Sequence, residues 1–267
     1  MNKTLGFIGA GNMATAIING ILVQKAETPD HIFVFDLDDA KLALMREKGV
    51  RTVSSCQELT KQADIIVLAV KPQNYDEVLN DIRPAVDANK TFVTIAAGIS
   101  IAYIRSRLGT DVPAVRVMPN TPLLLGKGAT AMCRSENIAE DDFQKIYQMF
   151  ALSGVVEEMD EQQMNAVIAV NGSSPAYIYY FAKAMRDYAV SVGIDETKAL
   201  NLICQTLEGS AAMLRESGDS PDTLIGKVCS KGGTTIEAMN ILQQHHVEDS
   251  IVEAMQACTR RAEELGK

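Results

Sequence analysis

This sequence predicts an α/β chain, with a doubly wound sheet in its N-terminal part and an all-α domain after it. Three observations carry that reading. From Thr4 to Met159, apolar runs of strand length alternate with segments whose apolar residues recur at helical spacing, the pattern of successive βα units. The first run ends in Gly9-Ala10-Gly11-Asn12-Met13-Ala14 and passes straight into a helical pattern. From Asp160 onward the strand-like runs stop and helical periodicity continues almost to the end. The boundary is therefore placed near 159–161, giving domains over 1–160 and 161–267. No long Pro/Gly/Ser tract marks it, so a helix is expected to join the two directly.

The opening stretch organises the rest. Thr4-Leu5-Gly6-Phe7-Ile8 reads as a buried strand, and Met13, Ala16, Ile17, Gly20 and Ile21 share one helical face. Between them, Gly9 permits a tight turn, Gly11 has no side chain to hold off a pyrophosphate, and Ala14 lets the helix pack close to the strand. The free N–H groups at the start of that helix then face the phosphates. This is the Rossmann-type context for a dinucleotide; a glycine turn used only for packing is the alternative.

Composition narrows the partners. Of 267 residues, 47% are hydrophobic and 22% charged, enough apolar material for a full core. A net charge of −9 weighs against nucleic acid or an anionic membrane surface as the main partner. No signal peptide or membrane span is expected, since the most apolar segment, 65–70, is of strand length. The five cysteines form no CxxC pair and are read as reduced thiols of a cytoplasmic protein. The three histidines are not spaced as metal ligands, so no metal site is expected.

Along the chain, 31–36 is a second buried strand ending in Asp36, and Asp38 caps a helix that stops at Gly49. Asp36 lies 25 residues after Gly11, near the distance at which an acid bonds the adenine ribose hydroxyls; a plain helix-capping role is the alternative. No Arg or Lys lies between His31 and Asp39 to offset its charge, so NADH should serve at least as readily as NADPH. A short strand (51–53), a helix (55–63) and a fourth strand (64–70) follow, then Lys71-Pro72-Gln73, where the fixed φ of Pro72 stiffens a loop at the crevice. Next come a helix (75–82), a strand (91–96), a helix (101–108) capped by Ser100, and a strand (114–117) running into Met118-Pro119-Asn120-Thr121-Pro122, which is a site wall or only a turn. A strand at 129–133, a helix at 140–152 and a strand at 154–158 complete this half.

Helices are expected at 164–170, 176–192, 196–216, 235–245 and 248–265. Asn171-Gly172-Ser173-Ser174-Pro175 interrupts them as a packing kink or a site. Gly193-Ile194-Asp195 and Gly218-Asp219-Ser220-Pro221 are further breaks. At Ser230-Lys231-Gly232-Gly233-Thr234-Thr235 two glycines and hydroxyl residues open a helix, which offers unpaired N–H donors to a carboxylate or simply a turn with a Thr N-cap. The helix behind it presents Ile236, Met239 and Leu242. An apolar, Ala-rich helical domain of this size also reads as a dimerisation module.

Five stretches in order resemble the pyrroline-5-carboxylate reductase family almost end to end: 7–14, 69–73, 117–122, 171–177 and, most specifically, 221–240 around Lys231-Gly232-Gly233-Thr234-Thr235. The resemblance implies an N-terminal Rossmann domain and helical domains that interlock into dimers, often assembled into larger rings. It implies reduction of 1-pyrroline-5-carboxylate to L-proline with NADPH or NADH, the last step of proline synthesis. It places cofactor contacts at Ile8, Gly9, Ala10, Gly11, Asn12 and Met13, at Asp36, and at Ala69, Val70, Lys71 and Pro72. Substrate contacts fall at Ser230, Gly233, Thr234 and Thr235, with Glu161 a further candidate. Asn171 and Ser174 depart from the family's usual Ser-Gly-Ser-Gly-Pro and bear on the packing of that kink.

The chemistry suits these residues. A cyclic imine is readily protonated and its iminium carbon accepts hydride, so the protein must chiefly hold two reactants in line. The expected catalytic residue is Thr235, its hydroxyl on the ring nitrogen, with Ser230 and the N–H groups near Gly233 and Thr234 on the carboxylate. Two rivals remain: a related reductase using Lys183 as acid/base on a β-hydroxy acid, and a nucleotide-binding dimer without turnover.

Overall fold

The computed structural model describes residues 3–266, which form two compact units. One extends to Pro175 and takes up the chain again from Gln256; the other is Ala176–Met255.

The first unit is built on an eight-stranded sheet. Its strands are β1 (Leu5–Ile8), β2 (Ile32–Phe35), β3 (Arg51–Thr52), β4 (Ile65–Leu68), β5 (Thr91–Thr94), β6 (Ala114–Met118), β7 (Gly128–Arg134) and β8 (Gly154–Glu158), in the order β3-β2-β1-β4-β5-β6-β7-β8. The first six are parallel; β7 runs antiparallel to β6, and β8 parallel to β7. The order reverses between β1 and β4, so the crevice beyond their carboxyl ends is the natural ligand position.

Helices cover both faces: α1 (Asn12–Val23), α2 (Asp39–Glu47), α3 (Cys56–Gln62), α4 (Tyr75–Ile82), α5 (Ile101–Leu108) and α6 (Glu140–Ala151). The local signals act as expected. Asp38 accepts from Ala40 N at the start of α2, Ser55 caps α3, and Ser100 caps α5. The sheet separates two cores. Phe7, Ile17, Val67, Phe143 and Phe150 pack in one, and Ile8, Leu59, Tyr75, Phe92 and Ile104 in the other.

Strand signals end at β8, but packing divides further on, at Pro175. Residues 161–175 belong to the sheet unit because Met164, Ile168 and Ala169 are buried there. The expected kink is a π-helical turn, Ile168–Gly172, that leads directly into α7 (Ser174–Ser191). Asn171 gives this turn its anchor: its amide donates to Met118 O (2.7 Å) and Ala129 O (2.9 Å). Asn120 answers by donating to Asn171 O (3.1 Å) and accepting from Ala129 N (2.9 Å). The pinned loop 118–122 is thus locked to β7 and to the π-turn, and its amide is spent on structure rather than offered as a site wall.

The second unit is helical. It contains most of α7, then α8 (Glu196–Glu216), α9 (Pro221–Val228), α10 (Thr234–Gln244) and the first part of α11 (Val247–Leu265). Helix α9 goes beyond the sequence pattern, in which 218–221 reads only as a break. Ser220 caps it by accepting from Thr223 N, and Pro221 opens it. Among the described residues, no helix is long and apolar enough to cross a membrane.

Candidate functional site

The glycine turn builds a cleft in the sheet unit. Gly9 has φ +103, and a Cβ there would lie 2.7 Å from Ala69 O, so only glycine lets β1 turn this close to the end of β4. Gly11 is the N-cap of α1 and supplies no side-chain cap. A Cβ on Gly11 would meet nothing within 4 Å, and Gly9 and Gly11 line an open cleft, so the start of α1, with its unpaired N–H groups, borders that cleft. That is the geometry a pyrophosphate requires.

The cleft has a volume of about 470 Å³, the size of a nucleotide site. Ile8, Gly9, Gly11, Asp36, Ala69, Val70 and Lys71, all among the expected cofactor contacts, line it. Ala10, Asn12, Met13 and Pro72 are close in sequence but are not part of the lining. Ala10 is buried and acts through its backbone, while Asn12 and Met13 begin α1 and Pro72 opens a short 3₁₀ turn. Lys41, Ser55, Cys56 and Asn74 also line the cleft, although sequence reasoning missed them. Ser55 and Cys56 follow β3, and the rule that loops at strand carboxyl ends line the crevice could have found them. Burial pushes the Cys56 thiol up to about 12, so it stays protonated.

Asp36 is more engaged than a free ribose acceptor. Its Oδ2 accepts from Ala10 N (2.7 Å), and its Oδ1 from Asp38 N (2.9 Å) and Lys41 Nζ (3.5 Å). Burial pushes the carboxyl up, but the bonds from Ala10 and Asp38, aided by Lys41, outweigh it and hold the group below its ordinary range. The expectation that no cation offsets this acid holds only for 31–39. Lys41 lies two positions further on, and the first turn of α2 carries it back to Asp36.

The diglycine loop lies in the helical unit. Gly232 has φ +73, which turns the chain so that Gly233 becomes the N-cap of α10. No side chain caps this helix, so the Thr N-cap alternative is set aside. The N–H groups of its first turn, beginning at Thr234, are left for a ligand or solvent. One expected donor is corrected: Gly233 N donates to Ser230 O (3.0 Å) and is consumed by the turn. Ser230, Thr234 and Thr235 are exposed on this loop.

Glu161 is placed with the sheet unit, not with the diglycine loop. Its Oε1 accepts from Ile101 N (2.8 Å) at the start of α5, beside the buried Arg116, whose Nη2 donates to Asn165 Oδ1 (2.5 Å). Lys183, the acid/base of the rival reading, is exposed and pairs with Asp187 one turn away (2.6 Å).

Comparison with known proteins gives the family of the chain. Residues 4–98 match the family model for NADP oxidoreductase, coenzyme F420-dependent, and residues 161–265 match that for pyrroline-5-carboxylate reductase dimerisation. The chain is 36% identical to the pyrroline-5-carboxylate reductase of Escherichia coli K12 over 268 residues, covering 100% of each. It is 34% identical to pyrroline-5-carboxylate reductase 2 of Bacillus subtilis 168, covering 98% of this chain and 95% of the relative. Among solved structures, a Plasmodium falciparum pyrroline carboxylate reductase with NADP bound superposes with a TM-score of 0.91 at 29% identity, covering 100% of this chain and 99% of that one.

Proposed function

Because the chain belongs to the pyrroline-5-carboxylate reductase family, we propose that it reduces 1-pyrroline-5-carboxylate to L-proline with NADPH or NADH, the last step of proline synthesis. The observation that carries this is the unbroken likeness to such reductases across the whole length of both chains. The cleft fits the cofactor, because the open space before Gly11 and the uncapped α1 supply a phosphate seat. Gly9, Gly11 and the first turn of α1 would hold the pyrophosphate, Asp36 would stand at the adenosine end, and Ala69, Val70 and Lys71 would line the wall after β4. The cofactor supplies a hydride; the protein supplies alignment.

On the substrate side, the first-turn N–H groups of α10 and the Ser230 hydroxyl receive the carboxylate. Thr235 bonds the ring nitrogen and so fixes the orientation of the ring on this loop. Glu161 contributes by holding the start of α5. Residues 161–267 form the substrate-binding and dimerisation part of a cytoplasmic homodimer, open to assembly into a larger ring, with neither nucleic acid nor membrane as partner.

The test is oxidation of NADH and NADPH with 1-pyrroline-5-carboxylate, against ketoacid and no-substrate controls, with L-proline identified as product. Turnover with a ketoacid alone would favour the β-hydroxy-acid reading, and cofactor binding without turnover the non-catalytic one. Thr235→Ala should lower kcat/KM about tenfold, since a neutral hydrogen bond is worth roughly 1–1.5 kcal/mol. Unchanged kinetics in that variant would remove Thr235 from the mechanism.

A further inference from the structure

The adenosine end of the cleft holds an acid whose bonds are largely assigned within the protein. Asp36 ties Ala10 N of the glycine turn to Asp38 N at the start of α2. It therefore acts first as a positioning residue for the phosphate seat. Lys41 has a looser arrangement. Its ammonium lies 3.5 Å from Asp36 Oδ1 and 3.9 Å from Asp38 Oδ2, both long for an ion pair, and the side chain is 42% exposed. It is shared between two acids and locked to neither. It also lines the cleft on the α2 side, while the other lining lysine, Lys71, follows β4.

In this fold the acid ending the second strand marks the position of the ribose 2′ substituent, and a nearby cation is what accommodates a 2′-phosphate. A phosphate placed there meets the charges of Asp36 and Asp38, and Lys41 is the group that can answer them. We propose that Lys41 determines acceptance of NADPH: it rests on Asp36 and Asp38 beside a bare 2′-hydroxyl and swings to the phosphate when one is present. This rests on the dinucleotide reading above and adds the residue that sets cofactor choice.

The test is calorimetric titration of the full-length protein with NADPH, NADH, 2′-AMP and 5′-AMP, comparing wild type with Lys41→Met and Lys41→Arg. Lys41→Met should raise the ratio of the NADPH Kd to the NADH Kd by about tenfold or more, the scale of a lost charged hydrogen bond. The 2′-AMP to 5′-AMP ratio should move the same way. Lys41→Arg should keep both ratios near wild type, and the NADPH Kd should depend less on salt in Lys41→Met. An unchanged ratio in Lys41→Met, or equal weakening of both dinucleotides, would overturn the proposal. Wild type that binds both dinucleotides yet is inert toward the imine would overturn the reductase reading and leave Lys41's role standing. Wild type that binds neither dinucleotide would overturn both.

Discussion

The two compact units solve the problem of apolar surface in opposite ways. The sheet unit buries its own: β1, β4 and β5 are buried throughout, and Phe7, Phe92, Phe143 and Phe150 are almost fully covered. In Ala176–Met255 the only buried residues are Ala199 and Ile203, while Ile178, Tyr179, Tyr180, Phe181, Tyr188 and Leu202 are exposed. A sheet between two helical layers closes a core within one chain. A set of amphipathic helices with this much uncovered apolar surface does not, and a second copy is the cover that the dimerisation match indicates.

The largest effect should come from breaking that cover. Tyr180 and Phe181 line an apolar groove between α7 and α11 with Val247 and Ile251. Replacing both aromatics by Glu removes two burials at the interface, each worth about 1.5–3 kcal/mol, and places charges there. The mass measured by sedimentation should fall to that of one chain, and reductase activity should be lost with it. A variant that remains a dimer would show that the interface lies elsewhere on the helical unit.

A somewhat smaller effect should appear on the sheet side, with a different signature. Phe150 is fully buried on α6, so Phe150→Ala should cost about 3–5 kcal/mol through lost transfer and cavity terms. Because that core is internal to one chain, the cost should not change when protein concentration is varied a hundredfold. The stability of the helical unit should rise with concentration, as mass action requires. Denaturant melts at two concentrations separate the cases, and a concentration-dependent Phe150→Ala penalty would erase the contrast.

Sequence legibility divides along the same line. In the sheet unit, periodicity and caps located α4 and α5 to the residue, because Ser100 and the apolar spacing act locally. The sequence could not show that β7 is antiparallel, since an apolar run carries no direction. In the helical unit the helix positions were readable, apart from α9, but which faces remain bare was not, because that depends on how the helices pack. The site behaved likewise. Gly9, Gly11 and Gly233 announce their turns locally, whereas the return of Lys41 to Asp36 and the Asn120–Asn171 lock join residues distant in sequence or separated by a helix turn.

The smallest effect concerns acid, and it sharpens the contrast between internal ties and surface charge. Asp36 is largely enclosed and holds the glycine turn, with its carboxyl below the ordinary value of 3.8 because the bonds from Ala10 and Asp38 outweigh the upward push of burial. A carboxyl depressed by folding adds stability above its unfolded pKa, and that stability fades as pH falls through the folded value. In the helical unit Asp187 is also lowered, by its bonds to Lys183 and Arg186, but it is exposed and its bonds are screened by solvent. The stability gap between wild type and Asp36→Asn should therefore stay level from neutral pH down to about pH 5 and narrow below 3.8, while Asp187→Asn should show little gap at any pH. Chemical denaturation across that range reads both gaps. A gap for Asp36→Asn that widened in acid would mean that the carboxylate does not hold the glycine turn through these bonds.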